Sequence, residues 1–337
     1  MTSAIAAPLV VSMGDPAGIG PEIIAKAWEQ RASAGLLPFV AIGDDRAIAR
    51  VWGGPIARIT DLSEAGAAFA DALPVLRIQD AGEIVPGRPD VDGARCALHS
   101  LEMAVGMVRS GAGAALVTGP VSKAQLYQIG FVHPGQTEFV AERCGVSRDN
   151  AVMLLVGPSL RVVPITTHIP LARVPAALSI ELIVAKSRAT ARGLTRNFGI
   201  VRPRLAFAGL NPHAGETGTI GREEIDLIEP AIAQLVAEGI DAIGPMAADT
   251  MFHPRARSRY DVAMCCYHDQ ALVPIKTLHF DEGVNMTLGL PIVRTSPDHG
   301  TAFGLAGQNQ AEPGAMIAAI AMAGEAAAMR ARACPAA

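Results

Sequence analysis

The chain has 337 residues, of which 50% are hydrophobic and 4% aromatic, and its formal net charge at pH 7 is -4. This length is sufficient for a sizeable core and for two lobes. Because the charges are interspersed and aromatic side chains are sparse, the composition argues against a nucleic-acid-binding surface, and we expect no nucleic-acid partner. Small molecules and other copies of the chain are the expected partners.

We expect no export signal at the N terminus and no membrane span near the C terminus. The N-terminal stretch MTSAIAAPLVVSMGDP lacks a basic region and a cleavage site, which predicts no export signal. Near the C terminus, Gly324 and Glu325 break the apolar character of the segment Met316–Met329, so its apolar length falls short of the ~20 residues of a membrane span. We therefore expect a core or interface helix there and no membrane partner.

The five cysteines are odd in number and show neither CxxC spacing nor the density of a disulfide framework. This usage is typical of the reducing cytoplasm, where we expect the protein to reside. Two neighbouring cysteines lie inside the apolar run VAMCCY, which favours small core residues over a redox pair. The five are Cys96, Cys144, Cys265, Cys266 and Cys334.

Short runs rich in Val, Ile, Leu and Ala recur along the chain between helical patterns. Such alternation favours an α/β chain with a largely buried sheet. The helical pattern ARCALHSLEMAVGMVRSG places four apolar residues on one face and closes with Gly111 as a stop signal. The predicted strands are LVVSM, FVAIG, AALVT, AVMLLVG, LRVVPITT, RLAFAGL and VAMCCY, and the helical face comprises Leu101, Ala104, Val105 and Val108.

The domain organisation leaves few signals in the sequence. We find no internal repeat, no low-complexity tract and no long polar linker, so two lobes would have to be built from an interleaved chain. We predict lobe 1 from residues 1–130 together with 285–337, and lobe 2 from residues 131–284.

The segment GDPAGIGPE, Gly14–Glu22, lies between a predicted strand and a predicted helix. Its glycines allow a tight turn, and Pro21 lies near the first helical position. The spacing matches neither GxGxxG nor a P-loop, so it supports neither nucleotide fingerprint. A structural turn and a ligand-binding loop remain equal alternatives.

Three of the eight histidines, His168, His213 and His268, each follow an apolar run that we predict as a strand. In an open α/β sheet, ligands bind beyond the carboxyl ends of strands, so histidines that are far apart in sequence can meet there. Any one of them alone is more often a hydrogen-bonded structural residue. For three in equivalent settings, a shared metal site and separate structural roles are equal alternatives.

Three neutral imidazoles would leave coordination positions open, which suits a catalytic Zn²⁺ or another borderline divalent ion. The open positions would then be filled by the substrate. Three carboxylates in this part of the chain, Asp249, Asp269 and Glu216, could orient the imidazoles or act as a base. A solvated carboxylate is the alternative for each of them.

Two further segments offer groups that could hold an anion. Lys276 and Arg294 flank a glycine-containing stretch with Asn285, and a Lys point charge and an Arg fork suit a phosphate or carboxylate. Scattered surface charge would give the same pattern. Gln136 and Thr137, in PGQTEF, offer an amide and a hydroxyl in a predicted turn.

Six motifs, in order along nearly the whole chain, resemble the 4-hydroxythreonine-4-phosphate dehydrogenase family of pyridoxine biosynthesis. They are GDPAGIGPE, VTGPVSK, HPGQTEF, GLNPHAGE, YHDQALVPIK and VNMTLGLPIVRTSPDHGTA. The resemblance implies an isocitrate/isopropylmalate-dehydrogenase-like, two-lobed α/β/α fold with a central cleft. It also implies a homodimer whose active site is shared between subunits, with lobe 1 on the cofactor side and lobe 2 on the metal, substrate and dimer side.

The resemblance also implies roles for individual residues. The metal ligands correspond to His168, His213 and His268. The substrate-binding positions correspond to Gln136, Thr137, Lys276, Asn285 and Arg294. HGTAFGLAG is similar to the adenosine-binding loop of the wider isocitrate and isopropylmalate dehydrogenases, which implies binding of NAD or NADP by His299, Gly300, Thr301 and Ala302. Asp249 and Asp269 are expected as acid/base groups or as partners of the metal ligands.

One position departs from the family pattern. Where the family commonly has GHTE, this chain has a glutamine, Gln136, in place of the histidine. A glutamine can still donate a hydrogen bond to phosphate, but it carries no charge and does not titrate. The departure therefore bears on the identity of the substrate.

The implied reaction is the oxidation of 4-phosphohydroxy-L-threonine by NAD or NADP, followed by decarboxylation to 3-amino-2-oxopropyl phosphate, in the biosynthesis of pyridoxal 5'-phosphate (vitamin B6). One divalent metal per active site is expected, and Zn²⁺, Co²⁺, Mn²⁺ and Mg²⁺ are the candidates. The alternatives are a dehydrogenase of threonate phosphate, erythronate phosphate or a cyclic dihydrodiol. A more remote alternative is a phosphate acyltransferase on a similar fold, which would need no metal.

Overall fold

The computed structural model describes residues 7–78 and 80–333, so Cys334 and the first six residues of the N-terminal segment lie outside the described residues. The chain divides into two compact units, with residues 1–144 and 290–337 in unit 1 and residues 145–289 in unit 2. Strands and helices alternate in both units, and the predicted α/β class is confirmed. The predicted lobe boundaries fall at other positions and stay a prediction.

The secondary structure comprises twelve strands and thirteen helices in the described ranges. In chain order the strands are β1 Leu9–Ser12, β2 Phe39–Gly43, β3 Ile56–Ile59, β4 Leu73–Arg77, β5 Leu116–Thr118, β6 Val152–Gly157, β7 Leu160–Pro164, β8 Arg204–Ala208, β9 Asp241–Met246, β10 Val262–Cys265, β11 Val284–Leu288 and β12 Arg294–Pro297. The helices are α1 Gly20–Glu29, α2 Asp45–Val51, α3 Ala65–Ala68, α4 Val91–Arg109, α5 Lys123–Gln128, α6 Gln136–Arg143, α7 Val174–Ala177, α8 Ile180–Phe198, α9 Glu229–Ala237, α10 Ala248–Met251, α11 Pro254–Arg257, α12 His268–Leu278 and α13 Gly314–Ala333.

The sheet of unit 1 has the strand order β3–β4–β2–β1–β5–β12. The neighbouring strands in this series pair in parallel. Every residue of β1 and β2 is buried, which means that both faces of the central strands are covered. The continuous apolar runs LVVSM and FVAIG predicted these strands for this reason.

Helix α4 has the amphipathic pattern that the sequence predicts. The Asp90 side chain caps its N terminus by accepting a hydrogen bond from the Gly93 backbone N–H. The predicted face is buried, and the helix ends just before Gly111, whose φ of +83° favours glycine. The prediction is therefore confirmed for both the buried face and the C-terminal stop. The buried residues of that face are Leu101, Ala104, Val105 and Val108.

Helix α13 is continuous over 20 residues and includes Gly324 and Glu325, so the predicted helix near the C terminus is confirmed. Gly324 lies against Leu37, and a Cβ at this position would be 3.0 Å from the leucine side chain. The glycine therefore allows close packing within unit 1 instead of ending the helix. Isolated glycines inside a strongly apolar helix are tolerated when tertiary packing compensates for their low helix propensity.

The same helix is, within residues 7–78 and 80–333, the one helix long and apolar enough to cross a membrane, and 44% of its most apolar window is buried. Its buried residues recur at helical spacing, as expected for a helix that packs on a core. The Thr295 side chain, on β12, donates a hydrogen bond of 2.8 Å to the Ala319 carbonyl. These contacts make α13 part of the core of unit 1.

The sheet of unit 2 has the strand order β11–β6–β7–β10–β8–β9. Strand β6 pairs antiparallel with both β11 and β7. Strands β7, β10, β8 and β9 form a series in which neighbours pair in parallel. Cys265 and Cys266 are buried at the end of β10, which confirms that they are core residues. The four cysteines within the described residues are free thiols.

Five strands were not predicted from the sequence, namely β3, β4, β9, β11 and β12. Their sequences contain prolines or polar residues that weaken an apolar-run signal, such as Pro74 in β4, Pro245 in β9 and Arg294 in β12. Strand propensity depends on the neighbours a strand packs against, so these segments become strands through tertiary context. The missed strands matter here because two of them carry predicted substrate-binding residues.

Candidate functional site

The three predicted metal-ligating histidines follow three adjacent parallel strands of unit 2. Strand β10 lies between β7 and β8 and pairs with both in parallel. Their carboxyl ends therefore meet at one edge of the sheet, which is where α/β proteins bind ligands. His168 follows β7, His268 opens α12 directly after β10, and His213 follows β8.

A chain of buried hydrogen bonds ties these three strand ends together. The Thr166 hydroxyl donates to the Cys266 carbonyl at 2.7 Å, and the Cys266 backbone N–H donates to the Gln270 side-chain oxygen at 2.6 Å. The amide nitrogen of Gln270 then donates to the Gly209 carbonyl at 2.8 Å. Because Gln270 is only 9% exposed, its amide satisfies two backbone groups that would otherwise be buried without a partner.

His168 and His268 lie side by side at this edge. Their ring centroids are 5.6 Å apart, and both line a pocket of about 280 Å³. Two imidazoles bound to one Zn²⁺ at the tetrahedral angle would have their centroids about 5 Å apart, so the observed spacing is close to that of two ligands of one ion. The other lining residues are Thr166, Ile169, Leu171, Val174, Tyr267 and Asp269.

Asp269 contacts His268 directly, with 2.7 Å between its Oδ1 and the imidazole Nδ1. A carboxylate that accepts from one ring nitrogen fixes the tautomer and leaves the other nitrogen available as a ligand. This is the arrangement expected for a partner of a metal ligand. Asp269 itself is exposed.

His213 is in a different setting from the other two histidines. It lies in the turn Pro212–Gly218, its side chain is 67% exposed, and its Nδ1 is 3.3 Å from Glu216 Oε2. In the described ranges, no group of three His, Cys, Asp or Glu side chains is arranged to hold a metal ion. A single copy of the chain therefore brings together two of the three histidines, His168 and His268. The site formed by all three histidines stays a prediction.

In unit 1, Arg294 is fully buried at the start of β12. Its guanidinium donates to the Thr118 hydroxyl at 2.6 Å and to the Thr137 hydroxyl at 3.3 Å. Burial lowers the pKa of Arg294 to about 10, against the opposing effect of the Glu138 carboxylate. The side chain is still charged at neutral pH, and an anion bound beside it would offset part of its desolvation cost.

Gln136 and Thr137 begin helix α6, where the sequence predicts a turn. The side-chain nitrogen of Gln136 donates to the Gly119 carbonyl at 3.1 Å, whereas its buried Oε1 has no hydrogen-bond partner in the part of the chain that the structure describes. Within residues 7–78 and 80–333, no side chain caps the N terminus of α6, so backbone N–H groups of its first turn are available to an anion. Arg294, Thr137 and the N terminus of α6 therefore lie together, with a positive charge, a hydroxyl and backbone N–H groups in one place.

The remaining predicted site residues lie in several places. Asn285, on β11, has a buried Oδ1 that finds no hydrogen-bond partner among the described residues. Lys276 is on α12, with its ammonium 5.9 Å from the ring centre of Phe280. Asp249 is exposed on the short helix α10, which packs against the turn that carries His213.

The glycine-rich segment after β1 contacts the predicted cofactor loop within unit 1. The Ile19 backbone N–H donates to the Thr301 carbonyl at 3.0 Å. A Cβ on Gly18 would be 3.1 Å from that same carbonyl, so a glycine permits the close approach. His299 is exposed, and Ala302 has a φ of +41° that a non-glycine residue rarely adopts.

Asp15, in the same segment, is a titratable residue that sequence analysis did not single out. It is buried, and burial raises its pKa to about 6, with a smaller raising effect from Asp90 and an opposing hydrogen bond from the Ala17 backbone N–H. Such shifts are concentrated at functional sites, where strain or charge is retained at a cost in stability. The signal in the sequence was an acidic residue between a strand and a glycine turn, and its burial could not be predicted.

Comparison with known proteins gives one consistent family. The family model of pyridoxal phosphate biosynthetic protein PdxA matches residues 36–323. The 4-hydroxythreonine-4-phosphate dehydrogenase of Zymomonas mobilis subsp. mobilis is 60% identical over 316 residues, covering 94% of each chain. The protein of the same name from Erythrobacter litoralis is 56% identical over 329 residues, covering 96% of this chain and 98% of that protein.

A solved structure gives the same result for the fold. The crystal structure of 4-hydroxythreonine-4-phosphate dehydrogenase from Klebsiella pneumoniae has a TM-score of 0.86 and 36% sequence identity to this chain. The similarity covers 95% of this chain and 99% of that one. The likeness therefore extends over both units.

The raised pKa of Asp15 predicts a pH-dependent effect of Asp15→Asn on stability. Between about pH 4 and 6 the folded state binds more protons than the unfolded state, so the free energy of unfolding falls as pH rises through this window. The asparagine removes this titration and can still accept from Ala17. We expect the variant to match the unmodified protein at pH 4 and to be more stable by about 3 kcal/mol at pH 8 in urea unfolding. A difference that does not change with pH would contradict this prediction, and the exposed Asp92→Asn is the control.

The buried amide of Gln270 predicts a large effect of Gln270→Leu. The leucine fills a similar volume but leaves the Cys266 N–H and the Gly209 carbonyl without partners. We expect the free energy of unfolding to fall by about 2–4 kcal/mol. The control, Gln234→Leu on the exposed face of α9, should change it by less than about 0.5 kcal/mol. Equal effects of the two substitutions would show that the strand ends do not depend on Gln270.

Proposed function

The chain belongs to the PdxA family of pyridoxal phosphate biosynthetic proteins, and on this premise we propose that it oxidises 4-phosphohydroxy-L-threonine with NAD or NADP and a divalent metal. Its closely similar relatives are named as dehydrogenases, and the chain is an oxidoreductase. The proposed product loses CO₂ to give 3-amino-2-oxopropyl phosphate. The observation that carries the proposal is the His168–His268 pair at the end of adjacent parallel strands.

The proposed metal ligands are His168, His268 and His213. When bound, the ion acts as a Lewis acid that lowers the pKa of the substrate's C3 hydroxyl and makes the loss of hydride to the nicotinamide easier. Among the candidate ions Zn²⁺, Co²⁺, Mn²⁺ and Mg²⁺, imidazole ligands favour the first two. The contact between Asp269 and His268 supports this role because it orients the ring.

The residues of unit 1 are proposed to bind the phosphate of the substrate. Arg294 supplies a buried positive charge, Thr137 supplies a hydroxyl, and the first turn of α6 supplies backbone N–H groups. Gln136 is held by its bond to Gly119 and has one amide hydrogen and Oε1 left for the ligand. These groups orient the substrate and do not take part in bond breaking.

Other residues of the site are assigned to binding and proton transfer. Lys276 and Asn285 are proposed as further substrate-binding groups, supported for Asn285 by its buried, unpaired side-chain oxygen. Asp249 and Asp269 are the proposed acid/base groups, since both carboxylates are exposed close to histidine-bearing segments. The adenosine part of NAD or NADP is proposed to bind at His299, Gly300, Thr301 and Ala302.

We further propose a cytoplasmic homodimer with an active site shared between subunits. The described part of one chain gathers two of the three histidines, and a shared site would bring the partner subunit's His213 to that pair. The free thiols of the described cysteines agree with a reducing compartment. A symmetric dimer would then contain two identical sites.

A mixing experiment tests the shared site. His168→Ala and His213→Ala should each be inactive, because each lacks one metal ligand. After the two variants are unfolded together and refolded, heterodimers contain one intact site, and about a quarter of the unmodified activity should return. Mixing His168→Ala with His268→Ala is the control and should restore nothing, since both residues are assigned to the same side. Restoration in the control, or none in the first mixture, would contradict the proposal.

A spectrophotometric assay of NADH and NADPH formation tests the reaction. We expect turnover of 4-phosphohydroxy-L-threonine that EDTA reduces by at least about 100-fold and that Zn²⁺ or Co²⁺ restores. Threonate phosphate, erythronate phosphate and a cyclic cis-dihydrodiol are the comparison substrates, and a higher kcat/KM for one of them would assign that substrate instead. Full activity in EDTA would show that no metal is needed, and acyl phosphate formation without NAD(P)H would favour an acyltransferase.

A further inference from the structure

The turn that carries His213 has an unusual backbone. Five consecutive residues, from His213 to Thr217, have φ values between +43° and +78°. Only Gly215 among them is a glycine, and a left-handed turn brings the Cβ of every other residue too close to the following carbonyl. The conformation therefore has to be imposed by the surrounding structure.

Glu224 lies directly beneath this turn and is 1% exposed. Its Oε1 accepts from the Asn211 backbone N–H at 2.7 Å, and its Oε2 accepts from the Asn211 side-chain nitrogen at 2.9 Å. A Cβ on Gly215 would be 2.6 Å from Oε2, so the carboxylate occupies the space under the turn. Glu224 thus contacts the left-handed segment on its inner side and fixes the residue that precedes Pro212.

The neighbouring residues complete this arrangement. The Asn211 side-chain nitrogen also donates to Glu223 Oε2 at 2.7 Å, so the amide is held from two sides. A Cβ on Gly209 would be 2.8 Å from the Ala214 Cα and 3.2 Å from Glu224 Oε1. The start of the turn, its middle and the end of β8 therefore all pack against one buried carboxylate.

We propose that Glu224 is a positioning residue, which holds the left-handed turn and so aims the His213 imidazole at the metal. The inference rests on the proposed role of His213 as a metal ligand. Burial of a carboxylate is costly unless its oxygens are hydrogen-bonded, and an apolar residue could fill the same space. An apolar residue would leave the Asn211 backbone N–H without this acceptor, would remove one of the two acceptors of the Asn211 side-chain nitrogen, and would not fix the turn that begins there.

The test compares Glu224→Gln with Asp226→Asn, an exposed substitution in the same helical turn whose carboxylate pairs with Arg222. The glutamine side chain has nearly the same volume as that of glutamate. Its NH₂ group, however, is a hydrogen-bond donor, and it would face the N–H groups of Asn211 where a carboxylate oxygen now accepts from them. We expect faster amide hydrogen exchange in residues 211–217 of the metal-free protein. We also expect a fall of about 10- to 100-fold in Zn²⁺ affinity, measured by competition with a chromophoric chelator, and a changed visible spectrum of the Co²⁺-loaded protein. Asp226→Asn should change none of the three.

Two further variants separate this proposal from the one on which it rests. If His213→Ala binds Zn²⁺ as tightly as the unmodified protein, then the metal role of His213 is wrong and the role of Glu224 is overturned with it. If His213→Ala weakens Zn²⁺ binding but Glu224→Gln does not, only the role of Glu224 is overturned. Gly215→Ala places a Cβ against the Glu224 carboxylate and should weaken Zn²⁺ binding as Glu224→Gln does. This variant keeps the test decisive if Glu224→Gln fails to fold.

Discussion

The parallel pairing of β10 with β7 and β8 is the constraint on which the candidate site depends. Parallel strands end at the same edge of a sheet, so residues that follow them are brought together regardless of their separation along the chain. The hydrogen bonds from Thr166 through Cys266 and Gln270 to Gly209 then fix the three strand ends relative to one another. The His168–His268 pair is a consequence of this arrangement.

Each unit also carries local costs of charge burial or backbone strain. Arg294 and Asp15 have pKa values shifted by burial, and several non-glycine residues have left-handed backbone conformations. Left-handed residues occur at His168, in the turn that carries His213 and at Ala302. Strain and desolvation of this kind persist where the surrounding structure over-determines a conformation, and they are concentrated at functional sites. Their presence at the predicted metal and cofactor segments supports the proposed function.

Much of this could be predicted from the sequence, because the relevant signals are local. Seven apolar runs predicted seven strands, and the helical periodicity of ARCALHSLEMAVGMVRSG predicted the buried face of α4. The order of six motifs predicted the family, which the comparisons confirmed. Strands such as β11 and β12 were missed because their polar residues are buried by tertiary contacts, which a hydrophobic pattern does not reveal.

The sequence by itself therefore determined the α/β class, the family and the position of each histidine at the end of a strand. Only the tertiary structure decided that His168 and His268 form a pair, that the Asp269 carboxylate contacts the His268 ring, and that Arg294 is a buried cation beside Thr137 at the N terminus of helix α6. It also decided that Glu224 lies under the turn that carries His213. The physical reason is that strand formation and motif order depend on neighbours along the chain, whereas burial, hydrogen-bond partners and backbone strain depend on residues brought together by folding.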